Sequence, residues 1–499
     1  MEHYNHPSQF EPLLPRRGVE PLVLKTRQVV EGSAQLQRSL HPASLEQLKE
    51  LVRSMNSYYS NLIEGQGTHP RNLERALRHD FSAKPDVAQR QRIAVAHIHA
   101  ERDLEQQAQV GEMTEGELLK SEFLVKAHAA LYSRLEERDR ITKDGLVIAP
   151  GVIREQRVEV GQHVPPEHSA VPAFLKRMDE VYPTHMRGVD GLLIGIAAAH
   201  HRAAWVHPFA DGNGRACRLQ THCALRPTSG GLWSVSRALA RQRDAYYAQL
   251  ANAEQPRQGD LDGRGNLSEG MLVEWCSFFI EACLDQVQFM TQMLDLDGLR
   301  ERITALIAVR SSTPSTYPHY RKEVVLPLQH VLMCGPVSRG DFKQMTGLAD
   351  RTAQQSIGQL LRDGVLKSKG PKGSVYMGFP LDTLNILFPN LYPEAATGAL
   401  PKLRWRAKDR CGHRRIGGDR ADPYAPGVAG PGEIALRHVV RAKRRRGESA
   451  QRTAGSVSGR AVLMQVGWPK PPALTPRAMS KMMLSGRAGT PLTPPTPER

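Results

Sequence analysis

The sequence predicts a mainly α-helical protein, and three observations lead there. Leu45, Leu48, Leu51, Val52, Met55, Tyr59, Leu62 and Ile63 recur at the spacing that gathers apolar side chains on one helix face. Residues Leu192 to Val206 form an apolar run cut off by Pro208, whose ring removes a backbone donor and clashes with the preceding turn. Strand-like patterning is confined to two short stretches, 152–161 and 364–377.

The first helix opens at Ser44-Leu45-Glu46-Gln47, which reads as a capping box, and stops at Gly65. Glu64 therefore lies at a helix C-terminus, where a carboxylate faces the negative end of the dipole. Such a placement calls for a cation beside it. Residues 152–161 carry β-branched side chains, alternating charge and a glycine, the pattern of a short hairpin. The run 192–206 then presents His207 at its tip. Gly212, Asn213 and Gly214 permit a turn whose N–H groups converge on an anion. The next helix is expected from Gly214 or Arg215 to Leu225, stopping before Pro227, and its N-terminal dipole adds to the same anion site.

The chemistry is concentrated in His207-Pro-Phe-Ala-Asp-Gly-Asn-Gly-Arg-Ala-Cys-Arg218. Arg215 and Arg218 lie three apart on one helix face and suit a polyphosphate gripped in fork geometry. Asp211 is the natural oxygen ligand for a magnesium ion bridging those phosphates. Taken singly, a His-Pro pair ends a helix, a Gly-Asn-Gly makes a turn and two arginines make a solvated face. Together in one loop and helix start they point to nucleotide chemistry.

This segment resembles the Fic-family signature His-Pro-Phe-x-Asp/Glu-Gly-Asn-Gly-Arg-x-x-Arg, and matches it without departure. The resemblance implies a helical Fic (Fido) core with a short β-hairpin flap at 152–161, and transfer of AMP from ATP to a hydroxyl side chain of a target protein. It makes His207 the base, Asp211 the magnesium ligand, and the stretch Gly212, Asn213, Gly214, Arg215, Ala216, Cys217 and Arg218 the phosphate site. Tyr246 and Tyr247 resemble a segment lining the adenine side, with Tyr247 as the pocket residue. His200, on the helix leading to His207, matches a histidine common in the family; it and His201 lack metal-ligand spacing, so packing or hydrogen bonding is expected. Ser60-Asn61-Leu62-Ile63-Glu64-Gly65 is similar to the family's inhibitory motif. Carried over, Ser60, Glu64 and Gly65 form it, and Glu64 pairs with Arg218 and denies it to the γ-phosphate.

Farther on, Gln329–Met333, Arg339–Met345 and Asp350–Arg362 read as three short helices, the last with Asp350 as N-cap. Gly364–Lys369 and Ser374–Met377 follow as a two-stranded wing. This resembles the winged helix-turn-helix module common at the C-terminus of Fic proteins. Arg351, Thr352, Gln354, Gln355 and Ser356 would form its recognition face, with Lys367, Lys369 and Lys372 reaching phosphates.

Four regions follow: an N-terminal region with the inhibitory helix (1–110), a Fic catalytic domain (120–285), a winged helix-turn-helix domain (325–380) and a basic disordered tail (400–499). Residues 401–499 hold 21 Lys+Arg against 6 Asp+Glu, which is +15 of the chain's net +16. The basicity belongs to the tail, whose Pro, Gly and Arg content argues for disorder, and does not mark the whole chain as nucleic-acid binding. No apolar run has membrane-spanning length, and no charged-then-apolar segment opens the chain. The six cysteines lack paired spacing, so reduced thiols and a cytoplasmic location are expected. The expected partners are ATP and a protein target, with self-modification, a homodimer and DNA contact through the wing also open. Two rival readings stand beside adenylyl transfer: a Fic enzyme that transfers another phosphate-containing group or removes AMP, and a winged-helix DNA-binding regulator whose Fic domain senses nucleotide.

Overall fold

A computed structural model describes residues 4–142, 144–158, 163–185 and 188–393. The tail 400–499 lies outside the described residues. Helices α1 (Glu20–Leu36), α2 (Pro42–Ile63), α3 (Pro70–Leu77), α4 (Pro85–Val110), α5 (Glu115–Leu118), α6 (Ser121–Tyr132), α7 (Val171–His185), α8 (Val189–Val206), α9 (Asn213–Ser229), α10 (Val235–Arg241), α11 (Arg243–Asn252) and α12 (Glu269–Met293) build the body that carries the signature. After them come α13 (Leu296–Ser311), α14 (Val325–Cys334), α15 (Arg339–Thr346), α16 (Asp350–Arg362), antiparallel strands β1 (Leu366–Ser368) and β2 (Val375–Met377), and α17 (Leu384–Leu387). Among the described residues the protein is mainly helical with one two-stranded hairpin.

Helix α8 runs through the centre, against α1, α7, α9 and α12. It is apolar nearly all round, as a central helix must be, and Trp205 and Trp275 fill the space beside it. The Trp275 indole donates to the Ala197 carbonyl at 2.7 Å, so its polar edge is satisfied in the core. No helix among the described residues is long and apolar enough to cross a membrane.

Helix α2 is as much core as α8. Leu48, Met55, Tyr58, Tyr59 and Ile63 are fully buried, packed against α4 and α10. The C-terminal elements hold its other side: the Ser44 hydroxyl donates to the Leu332 carbonyl at 2.9 Å, and the Tyr59 hydroxyl to the Leu391 carbonyl at 2.9 Å. The Tyr392 ring stands edge-on to Tyr58 at 5.2 Å.

Several sequence expectations need correcting. Helix α2 begins two residues before Ser44, with Pro42 in its first turn and the His41 ring accepting from the Ala43 amide at 3.1 Å. Proline suits that turn because its missing donor has no partner there, and the Ser44 hydroxyl is spent on Leu332, so no capping box forms. Helix α9 starts at Asn213 and passes Pro227, which gives up one hydrogen bond in the last turn. The stop comes from left-handed Gly230, whose amide reaches the Arg226 carbonyl at 2.8 Å. In α16 the N-cap is Ala349; Asp350 is the first helical residue and pairs with Lys343. Residues 152–158 form no strand, and the remainder of the expected flap, 159–161, lies outside the described residues.

Because α2 is core and not a detachable strap, Leu48→Ala should cost about 2–5 kcal/mol and leave a single cooperative denaturant transition. A loss below about 1 kcal/mol would show a site already loosely packed.

Candidate active site

The site is built where α8 ends and α9 begins. His207 caps α8 in the left-handed region, φ 50°, which turns the chain sharply. Arg154 clamps this turn: its amide donates to the Pro208 carbonyl at 2.9 Å and its Nε to the His207 carbonyl at 2.8 Å. The Asn213 side chain closes the loop from inside, accepting from the Phe209 amide at 2.8 Å and donating to the Phe209 carbonyl at 2.7 Å. Asn213 is therefore a structural brace of the signature.

Burial, then the neighbouring His163 and Arg154, push the His207 imidazole down to about 4, against a backbone hydrogen bond to Ala204 that works the other way. The ring is unprotonated across the physiological range.

At the start of α9, Gly212 lies at φ 80°, and a Cβ there would fall 2.4 Å from the Tyr132 ring. Only glycine fits. At Gly214 a Cβ would sit 2.4 Å from Glu64 Oε1, so a side chain there would push the Glu64 carboxylate aside. Arg215 donates to Gln66 Oε1 at 3.0 Å, to the Tyr132 hydroxyl at 2.7 Å and to Asp211 Oδ2 at 3.0 Å. Burial alone would raise the Asp211 carboxyl, but Arg215 and the Tyr132 hydroxyl outweigh it and keep it below the usual range. Its side chain is half exposed. An ionised, accessible carboxylate is a hard oxygen donor, which fits magnesium.

One turn further along α9, the Arg218 side chain is 2% exposed and meets three acceptors on α2 and its cap. Its Nε donates to Ser60 Oγ at 3.0 Å, and its Nη2 to the Ser60 carbonyl at 3.0 Å and to Glu64 Oε1 at 2.5 Å. Burial would lower this guanidinium; Glu64 reverses the effect and raises it. Gly65 follows in the left-handed region, φ 73°, and ends the helix. Ser60 and Glu64 thus stand together on Arg218, while Gly65 shapes the turn that leaves Glu64 there.

Glu64, His207, Asn213, Gly214, Arg218 and Tyr247 line one cavity of about 470 Å3. A larger cleft of about 850 Å3 opens elsewhere beside Arg177, Arg264 and Glu269 and contains none of these groups. Tyr247 is 42% exposed at the cavity wall, whereas Tyr246 is buried with its hydroxyl 3.0 Å from His200 Nε2. His200 also meets Thr221 Oγ1 at 2.8 Å, and His201 meets the Leu250 carbonyl at 2.9 Å, so both histidines are hydrogen-bonding core residues. Ala216 and Cys217 are buried in the body of α9, the Cys217 thiol reaching the His200 carbonyl, so their side chains face away from the cavity.

The sequence reading missed the groups that support this site from other helices. His128 and Tyr132, one helical turn apart on α6, pack beneath the loop. His128 stacks on Phe209 at 4.0 Å and on Tyr132 at 4.4 Å. Its Nδ1 accepts from the Gly151 amide at 2.9 Å, which leaves Nε2–H to donate to the Asp211 carbonyl at 3.1 Å. His163 lies 3.0 Å from Glu254 and 2.7 Å from the Trp205 carbonyl, tying α8 to the end of α11. The His–Tyr pair at i, i+4 shares α6 with Ser121, Glu122 and Lys126 and gives no distinct signal in the sequence.

On α16, Arg351, Gln354 and Gln355 are exposed while Ser356 is buried, so Ser356 leaves the expected recognition face. Lys369 and Lys372 are exposed, but the Lys367 ammonium donates to Gln47 of α2 at 2.8 Å. Four cysteines, 217, 223, 276 and 283, are buried free thiols, and Cys334 is an exposed one.

Residues 118–225 match the Fic/DOC family. The chain is 28% identical over 143 residues to a protein adenylyltransferase Fic of Drosophila mojavensis, a match covering 29% of this chain and 27% of that protein. It is 29% identical over 114 residues to the same-named protein of Drosophila willistoni, 23% of this chain and 22% of that one. The chain thus spans about a quarter of these relatives' length. Among solved structures, a Fic family protein from Desulfovibrio desulfuricans G20 aligns with TM-score 0.41 and 17% identity over 75% of this chain and 98% of that one. A Fic-1 fragment from C. elegans aligns with TM-score 0.38 and 17% identity over 55% and 74%. The segment that supplies His207, Asp211, Arg215 and Arg218 is a Fic/DOC family domain, distantly related to Fic protein adenylyltransferases.

Proposed function

We propose that the protein transfers AMP from ATP to a hydroxyl side chain of a target protein, and that Glu64 holds it in check. The observation that carries this is the pairing of an unprotonated His207 and a buried Arg218 guanidinium on the walls of one cavity. The target oxygen attacks the α-phosphorus, the bond to the β-phosphate oxygen breaks, and pyrophosphate leaves. His207 takes the hydroxyl proton as the new bond forms. The amides at the start of α9 and the Arg215 guanidinium stabilise charge on the phosphates. Asp211 would hold magnesium, which supplies charge neutralisation between the phosphates. Tyr247 offers an aromatic face to the base.

Glu64 occupies the guanidinium that the γ-phosphate requires. Removing one charge-assisted contact of about 1.5–3 kcal/mol frees Arg218, so Glu64→Gly should raise labelling with ATP by about ten- to a hundredfold. Glu64→Gly combined with Arg218→Ala should return to the low level. Equal labelling by wild type and Glu64→Gly at saturating ATP would defeat the inhibitory reading.

In the Glu64→Gly background, His207→Ala should lower turnover by about a hundredfold or more while ATP binding, followed by calorimetry, persists. Undiminished turnover would remove His207 as the base. Because the base form of His207 extends down to about pH 4, kcat/KM of the active variant should stay level from pH 8 to about 6. An acid limb centred near the ordinary imidazole value of about 6.5 would count against a buried base.

A second reading, DNA contact through α16, is favoured by the exposed Arg351, Gln354 and Gln355 beside Lys369 and Lys372. Since the basic tail alone would attract DNA, the test compares duplex binding by a chain ending at residue 393 with its Arg351→Ala, Gln354→Ala double variant. Equal affinities would reject α16 as the reading surface.

A further inference from the structure

The Tyr132 hydroxyl touches both the Asp211 carboxylate and the Arg215 guanidinium. It donates to Asp211 Oδ2 at 2.6 Å and accepts from Arg215 Nη2 at 2.7 Å, while Arg215 Nη2 itself reaches the same Oδ2 at 3.0 Å. The three groups close a triangle, and within it each donor has an acceptor. We propose that Tyr132 is a positioning residue of the nucleotide site, which pins one oxygen of Asp211 and so sets the orientation in which the carboxylate meets a divalent cation. The inference rests on the assignment of Asp211 as the metal ligand made above.

The arrangement is stiff because every part of Tyr132 is used. The residue is 1% exposed. One ring face stacks on His128 at 4.4 Å with 19° between planes, and His128 in turn stacks on Phe209 of the signature. The ring edge fills the space that Gly212 leaves by lacking a Cβ. His128 holds the Asp211 carbonyl, so both the backbone and the side chain of Asp211 are held from α6.

A tyrosine kept merely for packing would not need the hydroxyl. Tyr132→Phe keeps the ring, the stack and the fit under Gly212, and removes only the hydroxyl, and with it the donor to Asp211 and the acceptor for Arg215. An outer-shell partner of this kind commonly changes metal affinity by about ten- to a hundredfold. In the full-length Glu64→Gly protein, Mn2+ binding is measured by calorimetry in the presence of a nonhydrolysable ATP analogue, alongside the melting temperature and the magnesium midpoint of turnover. Tyr132→Phe should weaken Mn2+ binding by about tenfold or more and move the magnesium midpoint upward to match, with a smaller change in the binding of the analogue alone. Tyr132→Phe with Mn2+ affinity within twofold of the parent, while Asp211→Asn loses it, would overturn the positioning role and leave the metal assignment intact. Undiminished Mn2+ binding by Asp211→Asn would overturn both. If Tyr132→Phe melts too low for binding to be read at the parent's temperature, both proteins are titrated at a lower temperature at which the variant is folded and are held to the same criterion.

Discussion

A guanidinium buried to 2% exposure organises the rest of the molecule. An isolated charge removed from water costs far more than a domain's net stability, so Arg218 is tolerable only where acceptors surround it. Ser60 supplies two, a hydroxyl and a carbonyl, and Glu64 supplies the countercharge. This demand sets the register of α2 against α9. The absent side chain at Gly214 leaves room for that carboxylate, which lies where a Cβ would be. A ligand that displaces Glu64 must therefore bring negative charge of its own.

The same two helices are fastened one turn farther along by a second buried ionic group. His222 of α9 meets Glu105 at 2.8 Å and Glu101 at 3.4 Å, Arg226 meets Glu105 at 3.2 Å, and Arg53 of α2 reaches Glu105 from the other side. Burial would raise the Glu105 carboxyl, but His222 and Arg53 outweigh it and hold it below the usual range, whereas burial dominates at Glu101 and lifts it above that range. The Glu101, Glu105 and His222 donor atoms lie within 4.8 Å of one another, the spacing of a metal site. Two arginines already compensate those carboxylates, so the cluster is better understood as a charge-balanced rivet between α2, α4 and α9.

How much of this could be read from the chain depended on whether the clue was local. The loop from His207 to Arg218 declares itself because its chemistry is contiguous. Glu64 was legible for a different reason: a carboxylate at the negative end of a helix dipole calls for a cation, and the cation is Arg218. Tyr132 was not legible, since it lies 79 residues before Asp211 and looks like an ordinary core tyrosine. The start of α2 was misread because Ser44-x-x-Gln47 imitates a cap, while Pro42 and His41 make the true one and tertiary contact with Leu332 claims the serine. Pro227 was misread as a stop because a proline near a helix end loses too little to break it. Local signals failed where a distant partner, or position within the last turn, changed what a residue costs.

The integration of α2 into the core limits how the Glu64 contact can be released. Melting or swinging away the helix would strip Tyr58, Tyr59 and Ile63 from the interior and break the Tyr59–Leu391 hydrogen bond, an opening on the scale of sub-global unfolding. Glu64 itself sits on the helix cap with its side chain 29% exposed. Rotation about its own side-chain bonds vacates the guanidinium once another anion takes over the countercharge. What moves is then one side chain on a rigid frame. Its resting population responds continuously to local charge, with no cooperative threshold to cross.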